Sequence, residues 1–323
     1  MNRSFSADRF DIELTAPDIQ PYKKGNIGVD YVTTFDSGKP GPHIMISGVV
    51  HGNELCGAIA IDHLFQTGVR PLQGKLTFAF VNSDAYLSFN PHDPTASRFI
   101  DEDFNRLWDL STLKSVRTST ELRRARLLWP IIDTVDFLLD IHSMQHGPAP
   151  LMMAGPLAKG YVFAKQVGIP QIIVADAGHA AGKRLRDYGG FGNPNNSKNA
   201  LLIECGQHWE RRSADLAIEA CWRFLAATKV VSEIEAQSHF STRWQEKQKL
   251  LEVTQALTIA SDDFRFIADF EGLETFPKSG TLIAYDGPQP ILTPYDNCVL
   301  LMPSRRLTKG ASAARLGRYI NIN

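Results

Sequence analysis

Two rhythms of apolar positions alternate along the chain. Near-continuous apolar runs at 44–50, 76–82, 137–142 and 200–205, among them Leu76-Thr-Phe-Ala-Phe-Val81 and Phe137-Leu-Leu-Asp-Ile141, read as strands covered on both faces. Between them, segments at about 54–67, 119–129 and 213–228 carry apolar residues at helical spacing, as Leu55, Ala58, Ile59 and Phe65 do in the first. Strands alternating with helices predict an α/β fold on a mixed, largely parallel sheet flanked by helices. Pro130 should end or kink the helix over 119–129, because proline lacks the backbone donor and crowds the preceding turn. The run from Gly189 to Ser197 is dense in turn formers and predicts a long surface loop of the kind that lines sites. After about residue 240 the rhythm changes. Short runs at 251–259, 264–270, 282–285 and 298–302, separated by Gly, Pro and Asp, predict a small β-rich C-terminal domain. The expected division is therefore 1–240 and 241–323.

A length of 323 residues suits two units of this kind. Hydrophobic residues make up 43% of the chain, charged residues 21%, and the formal net charge is -1, which describes a soluble globular protein without the basic excess of a nucleic-acid binder. The first ten residues lack the apolar core of a secretion signal, and no stretch approaches a membrane span. A cytoplasmic protein with neither membrane nor nucleic acid as partner is expected. Cys56, Cys205, Cys221 and Cys298 are far apart and form no Cys-x-x-Cys pair, so they read as reduced core thiols. Assembly as a homo-oligomer stays open.

Candidate chemistry gathers where apolar runs end. His51-Gly-Asn-Glu54 lies at the passage from strand to helix and offers an imidazole and a carboxylate from one corner. A catalytic zinc takes three such ligands and keeps a fourth position for water. Taken alone, the pattern also fits a surface histidine and a carboxylate favoured in a helix's first turn. His142, ending the run from Phe137, shares the strand-end setting and ranks as third ligand ahead of His146, His179 and His208. Asp140, two residues earlier on the same strand face, is placed to orient an imidazole, or else to satisfy backbone groups. Glu204 closes the run from Ala200, an expensive place for a charge, which points to a salt bridge or, as favoured here, a tuned acid/base. Strand ends in an open α/β sheet face one crevice, so His51, His142 and Glu204 are expected to converge. Between them in sequence, Arg98, Asn105 and Arg106 are anion-binding candidates, although Asp101, Glu102 and Asp103 also allow a plain network of ion pairs.

In this order, His51-x-x-Glu54, Arg98-x-x-x-x-Asp103-x-Asn105-Arg106, Asp140-x-His142 and Glu204 resemble the succinylglutamate desuccinylase and aspartoacylase family of zinc carboxypeptidase-like hydrolases, over about residues 43 to 206. The resemblance implies that His51, Glu54 and His142 bind one zinc ion. It implies that Glu204 serves as general base and then general acid, and that Arg98 stabilises the oxyanion. Asn105 and Arg106 would hold a substrate carboxylate, with Asp103 and Asp140 in support. It also implies a carboxypeptidase-like α/β domain followed by a smaller β-rich domain that narrows the entrance. The expected substrate is a small, carboxylate-bearing N-acylated amino acid or related amine, with Arg184, Arg186, Tyr285 and Tyr295 as further contact candidates. Ser143-Met144 after the zinc histidine departs from the family's small polar pair, so the acyl pocket differs. A metallocarboxypeptidase and a non-catalytic small-molecule binder of the same fold are the competing readings.

Overall fold

The structure is a computed structural model, and it describes residues 11–146, 149–178, 181–241, 247–305 and 307–321. Its first half builds strands β1 (Val32–Asp36), β2 (His43–Gly48) and β3 (Lys75–Phe80), with helix α1 (Leu55–Thr67) between the last two. Short α2 (Ser83–Leu87) and α3 (Leu110–Leu113) precede α4 (Thr120–Ile132), β4 (Phe137–Met144), β5 (Leu151–Met153) and α5 (Ala158–Val167). Then come β6 (Ile172–Ala175), β7 (Asn199–Gln207), α6 (Arg211–Ala227) and α7 (Glu233–Gln237). The remainder is β8 (Lys249–Thr258), β9 (Phe264–Phe266), β10 (Thr275–Phe276), β11 (Leu282–Asp286), β12 (Gln289–Leu292), β13 (Cys298–Leu301) and β14 (Ser312–Ile320).

Among the described residues, eleven strands form one mixed sheet in the order β1-β3-β2-β4-β7-β5-β6-β8-β14-β13-β10, and β12-β11-β9 form a second, small sheet. The central pairs β3–β2, β2–β4 and β4–β7 are parallel. Period-two alternation sorts their side chains onto two faces. Ile44, Ile46, Leu139, Ile141, Leu201 and Ile203 join a core with α1, α5 and α6, while Met45, Leu138 and Ala200 join a separate core with α4. Helices on both faces explain why the runs are apolar throughout. The fold is the expected α/β class with a β-rich C-terminal region.

Several elements differ in detail from the sequence reading. α4 continues past Pro130 to Ile132, because the proline costs the helix only its own N–H and the Asp133 N–H still closes the last turn on the Trp129 carbonyl. The turns between Gly189 and Ser197 line no part of the cavity described below; their Gly190, Asn193 and Asn196 carbonyls, with that of Lys198 just beyond, surround the Lys159 ammonium at 2.7 to 3.0 Å. The C-terminal strands extend the main sheet, with β8 pairing parallel to β6 and antiparallel to β14. A further core lies among β8, β11, β13 and β14. Among the described residues no helix is long and apolar enough to cross a membrane, and all four cysteines are buried and free.

Candidate active site

The carboxyl ends of β2, β4 and β7 open on a cavity of about 470 Å³ whose lining includes His51, Glu54, Arg98, Asn105, Arg106, His142 and Glu204. After β2 the chain turns sharply. Val49 adopts φ +56°, a costly conformation for a β-branched residue. Gly52 N–H donates to the Arg98 carbonyl at 3.1 Å and so pins the corner that carries His51. Glu54 follows as the residue capping α1, but its carboxylate makes no capping bond and faces two imidazoles instead.

His51 Nδ1 lies 2.7 Å from Glu54 Oε1, and His142 Nδ1 lies 2.9 Å from Glu54 Oε2. The opposite nitrogens meet carboxylates: His142 Nε2 is 2.9 Å from Asp140 Oδ2, and His51 Nε2 is 3.0 Å from Asp103 Oδ1. A neutral His142 with its proton on Nε2 satisfies Asp140 and directs its Nδ1 lone pair inward, the arrangement a metal-binding histidine needs, and His51 Nδ1 faces the same point. Asp140 is itself held by the Ser47 hydroxyl, which donates to Oδ1 at 2.6 Å. Ligand atoms from His51, Glu54 and His142 all lie within 4.8 Å of one another. Burial raises the Glu54 carboxyl, yet the positive charge and hydrogen bonds of the two imidazoles in their protonated, metal-free form outweigh it and hold the group well below the usual carboxylate range. Two neutral nitrogens and a carboxylate, enclosed and backed by further carboxylates, fit a divalent ion of intermediate softness such as zinc.

Glu204 stands beside His142 in the β4–β7 register. Burial pushes its carboxyl up to about 8 against the pull of His142, and its Oε2 is buried with no hydrogen-bond partner among the described residues. Such a group can take up and release a proton near neutral pH.

The segment from Arg98 to Arg106 is both a network and a set of donors. Arg98 Nη2 approaches His51 Nε2 at 2.9 Å and Asp103 Oδ2 at 3.4 Å, while Arg98 Nη1 is 3.6 Å from Glu54 Oε1. Asn105 Oδ1 accepts the Leu185 N–H at 2.7 Å, which assigns the amide NH₂ to the other side. Arg106 Nη1 donates to the Asn105 carbonyl at 2.7 Å, with Asp103 Oδ2 at 3.7 Å from Nη2. Asp101 and Glu102 turn away to the start of α4, where they accept from Thr120 N–H and from Ser119 and Arg117. Buried Glu121 accepts the N–H groups of Ile100, Asp101 and Glu102 at 2.7 to 3.2 Å, a role the sequence reading missed because nothing local marks it.

The remaining candidates separate cleanly. Arg184 lines the cavity, ion-paired with Asp176 at 3.0 Å and Asp187 at 2.6 Å, whereas Arg186 lies outside the lining and donates to the Ala154 and Ala200 carbonyls. Arg315, on β14, also lines the cavity and meets Asp176 at 3.2 Å, another position that no sequence signal singled out. Tyr285 and Tyr295 are not part of the lining; Tyr295 shares a 2.5 Å hydrogen bond with Thr254, and Arg265 lies over the Tyr285 ring. His146 and His208 line the cavity outside the cluster of His51, Glu54 and His142, and His179 lies outside the described residues.

Comparison with known proteins gives a consistent answer. The succinylglutamate desuccinylase/aspartoacylase catalytic domain matches residues 40–217, more than half of the chain. The chain is similar to succinylglutamate desuccinylase of Vibrio parahaemolyticus, 23% identical over 97% of this chain and 93% of that one. The solved succinylglutamate desuccinylase of Vibrio cholerae shares the fold with a TM-score of 0.66 at 19% identity, covering 91% and 87% of the two chains. The product-bound ectoine utilization protein EutE (DoeB) of Ruegeria pomeroyi shares it with a TM-score of 0.60 at 16% identity, covering 89% and 88%. With its strand-end cluster of His51, Glu54 and His142, this chain belongs to the succinylglutamate desuccinylase/aspartoacylase family of hydrolases.

Proposed function

We propose that the protein is a zinc-dependent deacylase that hydrolyses the amide bond of a small, carboxylate-bearing N-acylated amino acid or related amine. The observation that carries this reading is the pair of Nδ1 atoms directed at Glu54, with the protonatable Glu204 beside His142. His51, Glu54 and His142 would hold one zinc ion, which when bound supplies Lewis acidity toward a carbonyl oxygen and lowers the pKa of water. Asp140 keeps the His142 proton on Nε2, and Asp103 holds the His51 ring in place from its Nε2 side. Glu204 takes a proton from the attacking water at its carboxylate and returns it to the departing nitrogen, so that amide and water become carboxylate and amine. Arg98 presents its guanidinium to the oxygen on which negative charge develops. The Asn105 amide NH₂ and Arg106 hold the substrate carboxylate. Residues 302–305 and 310–312, with Arg315, form a wall of the cavity; in this reading the C-terminal segment is the β-rich domain that narrows the entrance and favours small substrates over peptides.

The test is a panel of N-acetyl, N-succinyl and N-formyl amino acids alongside blocked peptides, measured before and after chelation and zinc return. Turnover of acyl amino acids that is lost on chelation and restored by zinc is expected; preference for peptides would overturn the deacylase reading. Glu204→Gln should keep stoichiometric zinc while kcat falls by roughly 10² to 10⁴. Undiminished turnover would remove Glu204 from the mechanism. His142→Ala should lose stoichiometric zinc, and retention would assign the third ligand elsewhere.

A further inference from the structure

His208 lies in the turn that leaves β7, and its imidazole is built into the cavity wall with unusual care. The turn is tied on several sides: His208 N–H donates to the Met144 carbonyl at 2.9 Å, Gln207 Nε2 to the Gln145 carbonyl at 3.2 Å, and Trp209 Nε1 to the Asn53 carbonyl at 3.3 Å. His208 Nδ1 meets the Ser143 hydroxyl at 2.8 Å, with both side chains buried. His208 Nδ1 is the one partner of Ser143 Oγ among the described residues, so donation from the hydroxyl to Nδ1 is the arrangement that leaves no Ser143 donor unpaired, and it puts the imidazole proton on Nε2. No described residue accepts from that Nε2–H, and the ring lines the cavity. Burial also pushes the His208 pKa down to about 3, in agreement with a neutral ring that neither carries charge nor serves as a base for Ser143.

The position of this donor fixes what it faces. A line of contacts joins the two ends: Arg106 Nη2 lies 3.7 Å from Asp103 Oδ2, Asp103 Oδ1 3.0 Å from His51 Nε2, His51 Nδ1 2.7 Å from Glu54 Oε1, Glu54 Oε2 3.3 Å from the Ser143 nitrogen, and Ser143 Oγ 2.8 Å from His208 Nδ1. The cluster of His51 and Glu54 thus lies between Arg106 and His208. An amide whose amine side is anchored at Asn105 and Arg106, with its carbonyl at the cluster, extends its acyl group toward His208. Met144, whose carbonyl accepts the His208 N–H, also lines the cavity and offers no side-chain atom capable of donating a hydrogen bond.

The geometry points to His208 as a specificity-determining residue: its Nε2–H, fixed by Ser143, donates a neutral hydrogen bond to an acyl-chain oxygen beyond the scissile carbonyl. The assignment takes its substrate orientation from the deacylase reading, whereas its tautomer and its anion contact do not depend on turnover. A neutral donor suits a carboxylate or carbonyl on the acyl chain and gives nothing to a methyl group, so the favoured substrates are those with a polar acyl group such as succinyl.

Long-range ¹H–¹⁵N spectra of the full-length, zinc-loaded protein should show His208 protonated at Nε2 alone at pH 7, with Ser143→Ala converting it to a mixture of tautomers. A Nδ1-protonated or doubly protonated ring would overturn the assignment. Succinate, titrated as a free ligand, should shift the His208 Nε2 resonance and bind roughly 10- to 100-fold more weakly to His208→Phe, with partial recovery in His208→Gln, whose amide NH₂ can take the same place. Equal binding to all three proteins would overturn it. With N-succinyl-L-glutamate and N-acetyl-L-glutamate as substrates, the ratio of kcat/KM values should fall by roughly tenfold or more in His208→Phe. An equal loss on both would reduce His208 to a structural part of the wall. Failure of the wild-type protein to hydrolyse any N-acyl amino acid of the panel would sink the deacylase reading, and the succinate titration would then decide for or against the His208 contact.

Discussion

Asp140 decides how His142 can act. Its carboxylate is fully buried, takes the His142 Nε2 proton on one oxygen and the Ser47 hydroxyl on the other, and is two residues from the imidazole it orients. Asp140→Asn keeps the shape but allows the amide to present NH₂ to Nε2, which favours the tautomer with its proton on Nδ1, the atom a metal requires. Zinc affinity should fall by roughly 10- to 100-fold, as other partners of metal-binding histidines have shown on removal. Competition with a chromophoric chelator measures it, and wild-type affinity would show that Asp140 satisfies the backbone and nothing more. This residue was readable in the sequence because strand periodicity puts i and i+2 on one face. Its counterpart Asp103 was not readable from spacing, since it reaches His51 across 52 positions through a loop whose course depends on Glu121. Arg315 was illegible for the same reason, and His208 was read only as a lower-ranked metal ligand. Each owes its place to a partner distant in sequence, Asp176 for one and Ser143 for the other.

At the scale of elements, two features of β2 and its exit carry consequences. Gly52 lies so close to its neighbours that an added Cβ would sit 2.2 Å from the Ala85 carbonyl carbon and 2.4 Å from the Ser97 carbonyl oxygen. Neither backbone can yield without displacing α2 or the segment before Arg98. Gly52→Ala should therefore destabilise the fold by roughly 1 to 3 kcal/mol in urea unfolding, and weaken zinc binding with it; an unchanged midpoint would contradict this packing. At the other end, His43 is enclosed between Thr134 and Thr77, with hydrogen bonds of 2.9 and 2.7 Å. Burial, aided by Lys75 and opposed by Asp136, depresses its pKa below the ordinary 6.5. The unfolded chain thus takes up a proton before the folded one does. Stability should be complete above about pH 6.5 and decline as the pH falls from there until the folded imidazole itself titrates. Urea midpoints at pH 7.5 and 5.5 test this, and His43→Gln should flatten the difference; an unchanged slope would assign the acid sensitivity to other groups. Strands β2, β3, β4 and β7 and helices α1, α4 and α6 were legible because their apolar periods extend over many residues, whereas ten-residue α5 was missed. Three-residue β5 and four-residue β6 are too short to show a period, and β14, with small and charged residues through Ser312–Ile320, is held by its neighbours more than by its own composition.

Across the whole molecule, the question is whether the catalytic half stands without the rest. The change of composition near residue 240 is real in the sequence, but hydrogen bonding runs through it: β6 is bounded by β5 on one side and β8 on the other. One apolar cluster combines Leu151, Met153, Ile172, Val174 and Leu202 with Leu251, Val299 and Leu301. Cutting after residue 240 would bare the edge of β6, expose that apolar face, and remove Arg315 from Asp176. An unpaired strand edge beside a large apolar patch favours association between chains. The 1–240 fragment is therefore expected to aggregate or to melt without a cooperative transition, while the full chain unfolds in a single step when followed by circular dichroism. Leu301→Asp in the full chain tests the same seam without removing a strand. Leu301 is only 1% exposed, so an unpaired carboxylate there should lower the melting temperature sharply and reduce zinc content together with it. A soluble, cooperatively melting fragment that binds one zinc ion as tightly as the intact protein would show that the C-terminal strands cover the cavity without supporting it. If the fragment also accepted blocked peptides that the full chain refuses, the entrance would be their contribution.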